Sequence, residues 1–275
     1  MNLNEIKQYH STIPSVLVIG ASGGIGGCIM ERFVEKGWAV LATARNWNEF
    51  VAVSSQHSLD RRACKRFSLD VRFEKNWQKF SSLLKKNGSI FDAVVYSVGS
   101  NPKAAIPQTT PPELENAFTT KVIGFLLLSQ YIIPYLREGS KVIALSGNTS
   151  GETLKGTSNC INAALEALIN TASVQYPKIS FYALAPGLTA TKRFFSNFTA
   201  DQKCQNELQA IFNSVLKLAN ATAVQTPEQI AECIESIIIS HLPLPRKIEP
   251  GIGQLKNFND YRLYLQESSR NEKHN

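Results

Sequence analysis

Residues 15–37 read SVLVIGASGGIGGCIMERFVEKG, and the architecture is decided here. SVLVI is a short, unbroken apolar run of the kind that fills a strand covered on both faces. It ends in Gly20. From Gly23 the pattern changes to helical spacing, and Gly37 stands at the far end as a stop signal. Between strand and helix, Gly20, Gly24 and Gly26 are spaced G-x-x-x-G-x-G. A turn of this kind needs backbone angles that other residues avoid, and it lets a pyrophosphate approach the peptide N–H groups closely. The helix N-terminus that follows favours negative charge. A glycine trio alone marks many tight turns; the strand before it and the helix after it give this one its meaning.

Outward from this unit, apolar runs and helical periods alternate. Strands are expected at WAVLATAR (38–45), CKRFSLDV (64–71), FDAVVYSVG (91–99), KVIALSG (141–147) and ISFYALAPG (179–187). Helices are expected at 74–87, 111–136, 157–176, 199–219 and 227–240. Such alternation predicts an α/β fold: a single Rossmann-type, doubly wound parallel sheet with helices on both faces. No repeat and no Gly-, Ser- or Pro-rich linker divides the chain. The expected organisation is an N-terminal extension (1–13), one domain (14–253) and a polar, loose tail (254–275). Within the domain, 190–225 reads as a helical substrate lid. Its apolar residues Phe194, Phe195, Phe198, Ile211 and Phe212 suit either a lid or an oligomer interface, so a homo-oligomer is plausible.

Composition narrows the function classes. The chain has 275 residues, a 43% hydrophobic fraction and a net charge of +7, enough apolar content for a full core. Its densest basic stretch, DRRACKRF (60–67), lacks the interleaved aromatics of a nucleic-acid surface. Cys28, Cys64, Cys160, Cys204 and Cys233 are scattered without a C-x-x-C pair, as are the four histidines. That argues against a disulfide framework and against a metal site. The N-terminus has no signal-peptide core, and VIGFLLLSQYIIPYL (122–136) is too short and interrupted to span a membrane. The expectation is a cytoplasmic protein whose ligand is a small molecule, with neither nucleic acid nor membrane as partner.

The second strand bears on the cofactor. A carboxylate at its end would hydrogen-bond an adenosine ribose, whereas an arginine would pair with a 2′-phosphate. This strand ends in Ala44 and Arg45, with no carboxylate before Glu49. NADP(H) is the expected cofactor. Taken together, these motifs resemble the classical short-chain dehydrogenase/reductase family over roughly residues 15–240. GASGGIG resembles its glycine loop, which implies cofactor contacts for Gly20, Ser22, Gly24, Ile25 and Gly26. LDV (69–71) resembles the adenine-contacting segment and implies Asp70 and Val71. YSVG (96–99) stands at the family's N-N-A-G, ending in Gly99. APGLTAT (185–191) resembles the P-G-x-x-x-T segment that holds the nicotinamide carboxamide, which implies Pro186, Gly187, Leu188 and Thr191. TPEQIAECI (226–234) resembles a late helix start.

The catalytic positions depart from that family. Its relay is similar to a Tyr that moves the substrate proton, a Lys four residues on that holds the ribose, a Ser that orients the carbonyl and an Asn that supports a water. NAALEALI (162–169) resembles the apolar segment that begins with that lysine. This register puts Asn162 at the lysine and Ser158 at the tyrosine, and no other Y-x-x-x-K occurs in the chain. Gly147 stands at the serine, beside Ser146 and Asn148. Lys121 stands at the asparagine. The candidate catalytic residues are therefore Lys121, Ser146, Ser158 and Asn162, with Lys and Asn exchanged between two helices. If both positions face one pocket, the Lys121 ammonium should point toward Asn162 or Ser158. Tyr96 and Lys103 flank the loop after the fourth strand as a substitute pair; packing is the simpler reading of Tyr96 and solvation that of Lys103. A serine hydroxyl is far less acidic than a phenol of pKa about 10. Three functions fit: an enzyme running atypical redox or non-redox chemistry (cyclisation or isomerisation), a catalytically silent NADP(H)-binding sensor, scaffold or partner, and a carbonyl reductase with a relocated acid.

Overall fold

The computed structural model describes residues 13–47, 64–99, 106–147, 157–191, 205–218, 221–250, 253–257, 259–260 and 263–264. Its elements are β1 (Ser15–Ile19), α1 (Gly24–Glu35), β2 (Ala39–Ala44), β3 (Cys64–Ser68), α2 (Glu74–Asn87) and β4 (Phe91–Tyr96). There follow α3 (Pro111–Phe118), a π-helical turn (Thr119–Ile123), α4 (Gly124–Tyr131), β5 (Leu136–Leu145), α5 (Ser158–Gln175) and β6 (Ser180–Leu184). The last elements are α6 (Gln205–Leu218), α7 (Pro227–Ile239) and β7 (Lys247–Ile248).

Every strand pairs parallel to its neighbour, in the order β3-β2-β1-β4-β5-β6-β7. The chain winds outward from β1 to β3, then crosses back to place β4 on the other side of β1. That reversal opens a crevice at the carboxyl ends of β1 and β4, where doubly wound sheets bind ligands. The all-apolar β1 is explained by its two covered faces. Leu17 and Ile19 join Trp77, Phe80, Phe125 and Leu165 in one layer, while Val16 and Val18 join Ile29, Phe33, Ile230 and Ile234 in the other. Helix α7 is capped at both ends. Thr226 and Gln229 form a reciprocal capping box at its N-terminus. At its C-terminus the Lys141 ammonium donates to the carbonyls of Ile237, Ile238 and Ser240.

The structure corrects the expected elements in four places. The long helix 111–136 is broken by the π turn and stops at Tyr131; a 3₁₀ turn containing Pro134 follows, and β5 starts at Leu136. β5 begins in polar residues, LREGSK, which hid it. The two-residue β7 carries too little pattern to be read from sequence. The tail does not hang loose throughout: Leu255 exchanges two backbone hydrogen bonds with Val224 and is buried. It packs with Phe212, Leu216 and Ala190. Phe212 is fully buried in this cluster. Phe194, Phe195, Phe198, Lys103 and Asn148 lie outside the described residues. No helix among the described residues is long and apolar enough to cross a membrane.

Candidate active site

The glycine turn is dictated by close backbone approach. Gly20 has φ +89°, and a Cβ there would lie 2.6 Å from the Ser97 carbonyl oxygen. A Cβ on Gly26 would overlap the Gly20 carbonyl. One on Gly24 would come to 3.1 Å from Thr191 Cγ2, so the APGLTAT segment lies over the loop as the resemblance implies. Helix α1 begins at Gly24 with no side-chain cap on its N-terminal N–H groups. The glycines therefore leave a bare backbone cradle beside a helix start, and such a cradle fits a pyrophosphate.

A cleft of about 310 Å³ opens from this turn. Gly20, Ser22, Arg45, Asp70, Val71 and Gly99 line it, together with Asn46, Arg72, Asn116 and Thr120. The first six were expected; Arg72 and Asn116 were not. Arg72 grips Asp70 with its backbone N–H (3.1 Å), Nε (3.0 Å) and a terminal nitrogen (2.7 Å). Its other terminal nitrogen donates to Asn116 Oδ1 at 3.0 Å. The Arg72 guanidinium holds the Asp70 carboxyl below the usual carboxylate range, against the opposing effect of burial; Arg45 adds a smaller pull the same way. The loop itself is pinned from below: Asn76 donates to the Asp70 carbonyl and the Trp77 indole to the Val71 carbonyl. At the far rim, Gln225 holds the Pro186–Thr191 segment. Its Oε1 accepts from Gly187 N–H at 2.9 Å, and its own backbone pairs with Leu188 and Ala190. Sequence gave no signal for Gln225 beyond its place just before the α7 cap.

The β5–α5 end holds Lys121, Ser146, Ser158 and Asn162. Lys121 sits in the π turn and is only 2% exposed. Its ammonium donates to the Ser146 carbonyl at 2.7 Å and to Asn162 Oδ1 at 2.5 Å. Lys121 and Asn162 thus meet, as the exchange of residue types predicts. An ammonium can only donate, so it fixes the Asn162 oxygen toward itself and turns the amide NH₂ the other way. That NH₂ fills the space beside Gly147, where a Cβ would come within 2.5 Å of Nδ2. A side chain at position 147 does not fit while Asn162 stands as it does. Lys121, Asn162 and Gly147 are therefore in mutual register through the Asn162 amide. Burial of an ammonium is tolerated only with such acceptors in place.

The two serines divide. Ser158 is buried on the same face of α5 as Asn162, one turn before it. Ser146 contributes its carbonyl to Lys121, while its hydroxyl turns to the Leu184 carbonyl on β6 (3.4 Å). Tyr96 is wholly buried, and its hydroxyl donates to the Thr120 carbonyl at 2.5 Å. Burial, with the Asp70 charge behind it, raises its phenol well above its ordinary value, so it serves as a neutral donor. Tyr96 packs in the core and braces the π turn.

Fold and sequence now define the class. The short chain dehydrogenase family model matches residues 14–224, and the chain belongs to that family. Among curated proteins it is 25% identical over 130 residues to a serine 3-dehydrogenase of Rhizobium radiobacter, covering 47% of this chain and 51% of that one. The match thus spans about half the length of that relative. Among solved structures, Pseudomonas aeruginosa RhlG in its NADP active-site complex superposes with a TM-score of 0.73 at 20% identity, covering 89% of this chain and 97% of that one. A short-chain oxidoreductase of P. aeruginosa PAO1 containing an atypical catalytic center superposes with a TM-score of 0.74 at 18% identity, covering 87% and 95%.

Proposed function

We propose that this protein binds NADP(H) in the β1–β4 cleft and acts on a small molecule at the β5–α5 end, with Lys121 carrying the positive charge that the family keeps at position 162. The observation that supports it is the contact of the Lys121 ammonium with Asn162 Oδ1 and the Ser146 carbonyl. The pyrophosphate would rest on the Gly20–Gly26 turn, and Asp70 and Val71 would flank the adenine. Pro186, Gly187, Leu188 and Thr191 would hold the nicotinamide end. Arg45 lines the cleft on the adenosine side and would pair with a 2′-phosphate. The NADP complex of RhlG, built on the same fold, agrees with this choice. When bound, the cofactor supplies or accepts a hydride.

The protein side differs from the ordinary relay. Position 158 offers an alcohol in place of a phenol, so Ser158 can hold a ligand but is a weak proton donor. Lys121 keeps a positive charge in a dry wall, where it can hold a ribose hydroxyl or favour negative charge on a substrate oxygen. The chemistry that suits such a site is redox with an acid other than tyrosine, or a non-redox cyclisation or isomerisation. The deciding experiment is calorimetric titration of the purified protein and of Lys121→Met with NADPH and NADH, followed by a carbonyl and alcohol panel. The expected result is tighter NADPH binding than NADH, ordinary ketone turnover near zero, and a loss of about tenfold in NADPH affinity on removing the ammonium. Absence of binding by either dinucleotide overturns the proposal.

A further inference from the structure

The π turn that carries Lys121 has a cause outside its own helix. Across Thr119–Ile123 the helix takes one extra residue, and the Gly124 N–H donates to Thr119, five residues back. In a regular α-helix that N–H would donate to Thr120. The Thr120 carbonyl accepts instead from the Tyr96 hydroxyl, which enters from the end of β4 at 2.5 Å. Insertion of a side chain into the ladder is one of the few causes of such an interruption.

The glycine that follows is part of the same arrangement. A Cβ on Gly124 would overlap the Tyr96 hydroxyl oxygen, so the helix must lack a side chain where the phenol arrives. The ring is held as well. It is fully buried and meets Phe125 edge-on, with centroids 5.8 Å apart. Each helical residue turns the chain by about 100°. The extra residue therefore sets by a large angle which way Lys121 points relative to the buried face of α4. Its ammonium reaches Asn162 from that setting.

We infer that Tyr96 is the positioning residue of Lys121: its hydroxyl, in the space left by Gly124, holds the π turn that aims the ammonium at Asn162. Tyr96 and Lys121 thereby act as one device. The value of this device to catalysis rests on the function proposed above; the geometry of aiming does not.

The test reads the lysine directly. Tyr96→Phe keeps the ring and its edge contact and removes only the hydroxyl. Gly124→Ala keeps the hydroxyl and displaces it. In each variant, competitive labelling with an amine reagent followed by mass spectrometry gives the modification rate of Lys121. Lys141, held by three carbonyls at the far end of α7, is the internal control. In both variants the rate at Lys121 should rise about tenfold, the factor that one buried hydrogen bond sustains, with Lys141 unchanged. The folded signal in circular dichroism should be retained, and Tyr96→Phe, the milder change, covers the case in which Gly124→Ala fails to fold. An unchanged rate at Lys121 in folded Tyr96→Phe overturns the inference. Equal acceleration at both lysines also overturns it, since that reports general loosening. This readout needs no cofactor, so failure of NADPH to bind would count against the proposed function and leave the positioning result standing.

Discussion

A methyl group added to Gly26 would strike the Gly20 carbonyl, and one added to Gly20 would strike the Ser97 carbonyl; one added to Gly147 would strike the side-chain amide of Asn162. The first two collisions are with backbone, which has nowhere to go without unmaking β1 or β4. The third is with a side chain that another residue can replace. The two regions of the sheet's carboxyl edge differ in the same way. At the β1–α1 end, Gly20 and Gly26 are demanded by main chain. At the β5–α5 end, Lys121 and Gly147 each meet the side chain of Asn162, a contact that a second substitution can accommodate.

The effect on cofactor binding should be greatest at the end that cannot yield. Gly26→Ala forces helix α1 away from the turn and should cost roughly 1–3 kcal/mol of stability, with measurable NADPH binding lost. Urea unfolding and calorimetry check both numbers. Retained affinity would mean that the turn is softer than its backbone contacts indicate, and the contrast between the two ends would collapse.

The linked end should show coupling instead. Asn162→Lys places a second ammonium against the buried Lys121 and removes its acceptor; an uncompensated charge of this kind costs about 3–5 kcal/mol. Lys121→Asn in the same chain restores one lysine facing one asparagine. The double variant should recover most of the loss, with a coupling energy on the order of 1–3 kcal/mol in a double-mutant cycle. Ser158→Tyr added to Asn162→Lys should remain inactive until Lys121 is also changed. Strict additivity would show that the three positions drifted independently.

The sequence revealed the two ends unequally, for the same physical reason. Backbone-demanded residues repeat as motifs, so the turn, Asp70 and the Pro186–Thr191 segment were legible, and the sheet followed from apolar runs covered on both faces. The Lys121–Asn162 exchange was legible only as two departures in register, and the structure supplied the contact. Gly147 was noted as a missing serine, but its reason, the Asn162 amide in the Cβ space, needs coordinates. Arg72, Gln225 and Tyr96 were not assigned their roles, because a charged, an amide and an aromatic side chain carry no periodic signal for the partner they will find. The strand start at Leu136 was hidden by polar residues on a segment whose pairing, with a register shift opposite Phe91–Ala93, is tertiary.

Arg45 tests whether the retained end is also the selective end. Arg45→Asp should weaken NADPH by about 1.5–3 kcal/mol while leaving NADH nearly unchanged or improved, since a charged contact to a phosphate is lost and a ribose acceptor gained. Titration with both dinucleotides checks it. An equal loss for both would mean that Arg45 supports the turn and does not read the phosphate.

The smallest effect concerns Asp70 and Arg72, the pair inside the retained end that no motif announced. Arg72 holds the Asp70 carboxyl below its ordinary value, which for a free aspartate is about 3.9. A depressed folded value favours the native state above the unfolded pKa, and that contribution fades as pH falls through the folded value. Arg72→Met removes it. The variant should therefore be less stable than the parent at neutral pH, and the difference should shrink as pH drops below about 4. Side-chain exposures of 29% and 18% for the two partners keep the pair partly screened, so the difference at pH 7 should be only about 0.5–1 kcal/mol. Urea midpoints measured from neutral to acidic pH provide the check. A gap between variant and parent that is constant with pH would assign Arg72 to packing over Phe73 and bracing of Asn116, and would leave Asp70 free to meet an adenine without its help.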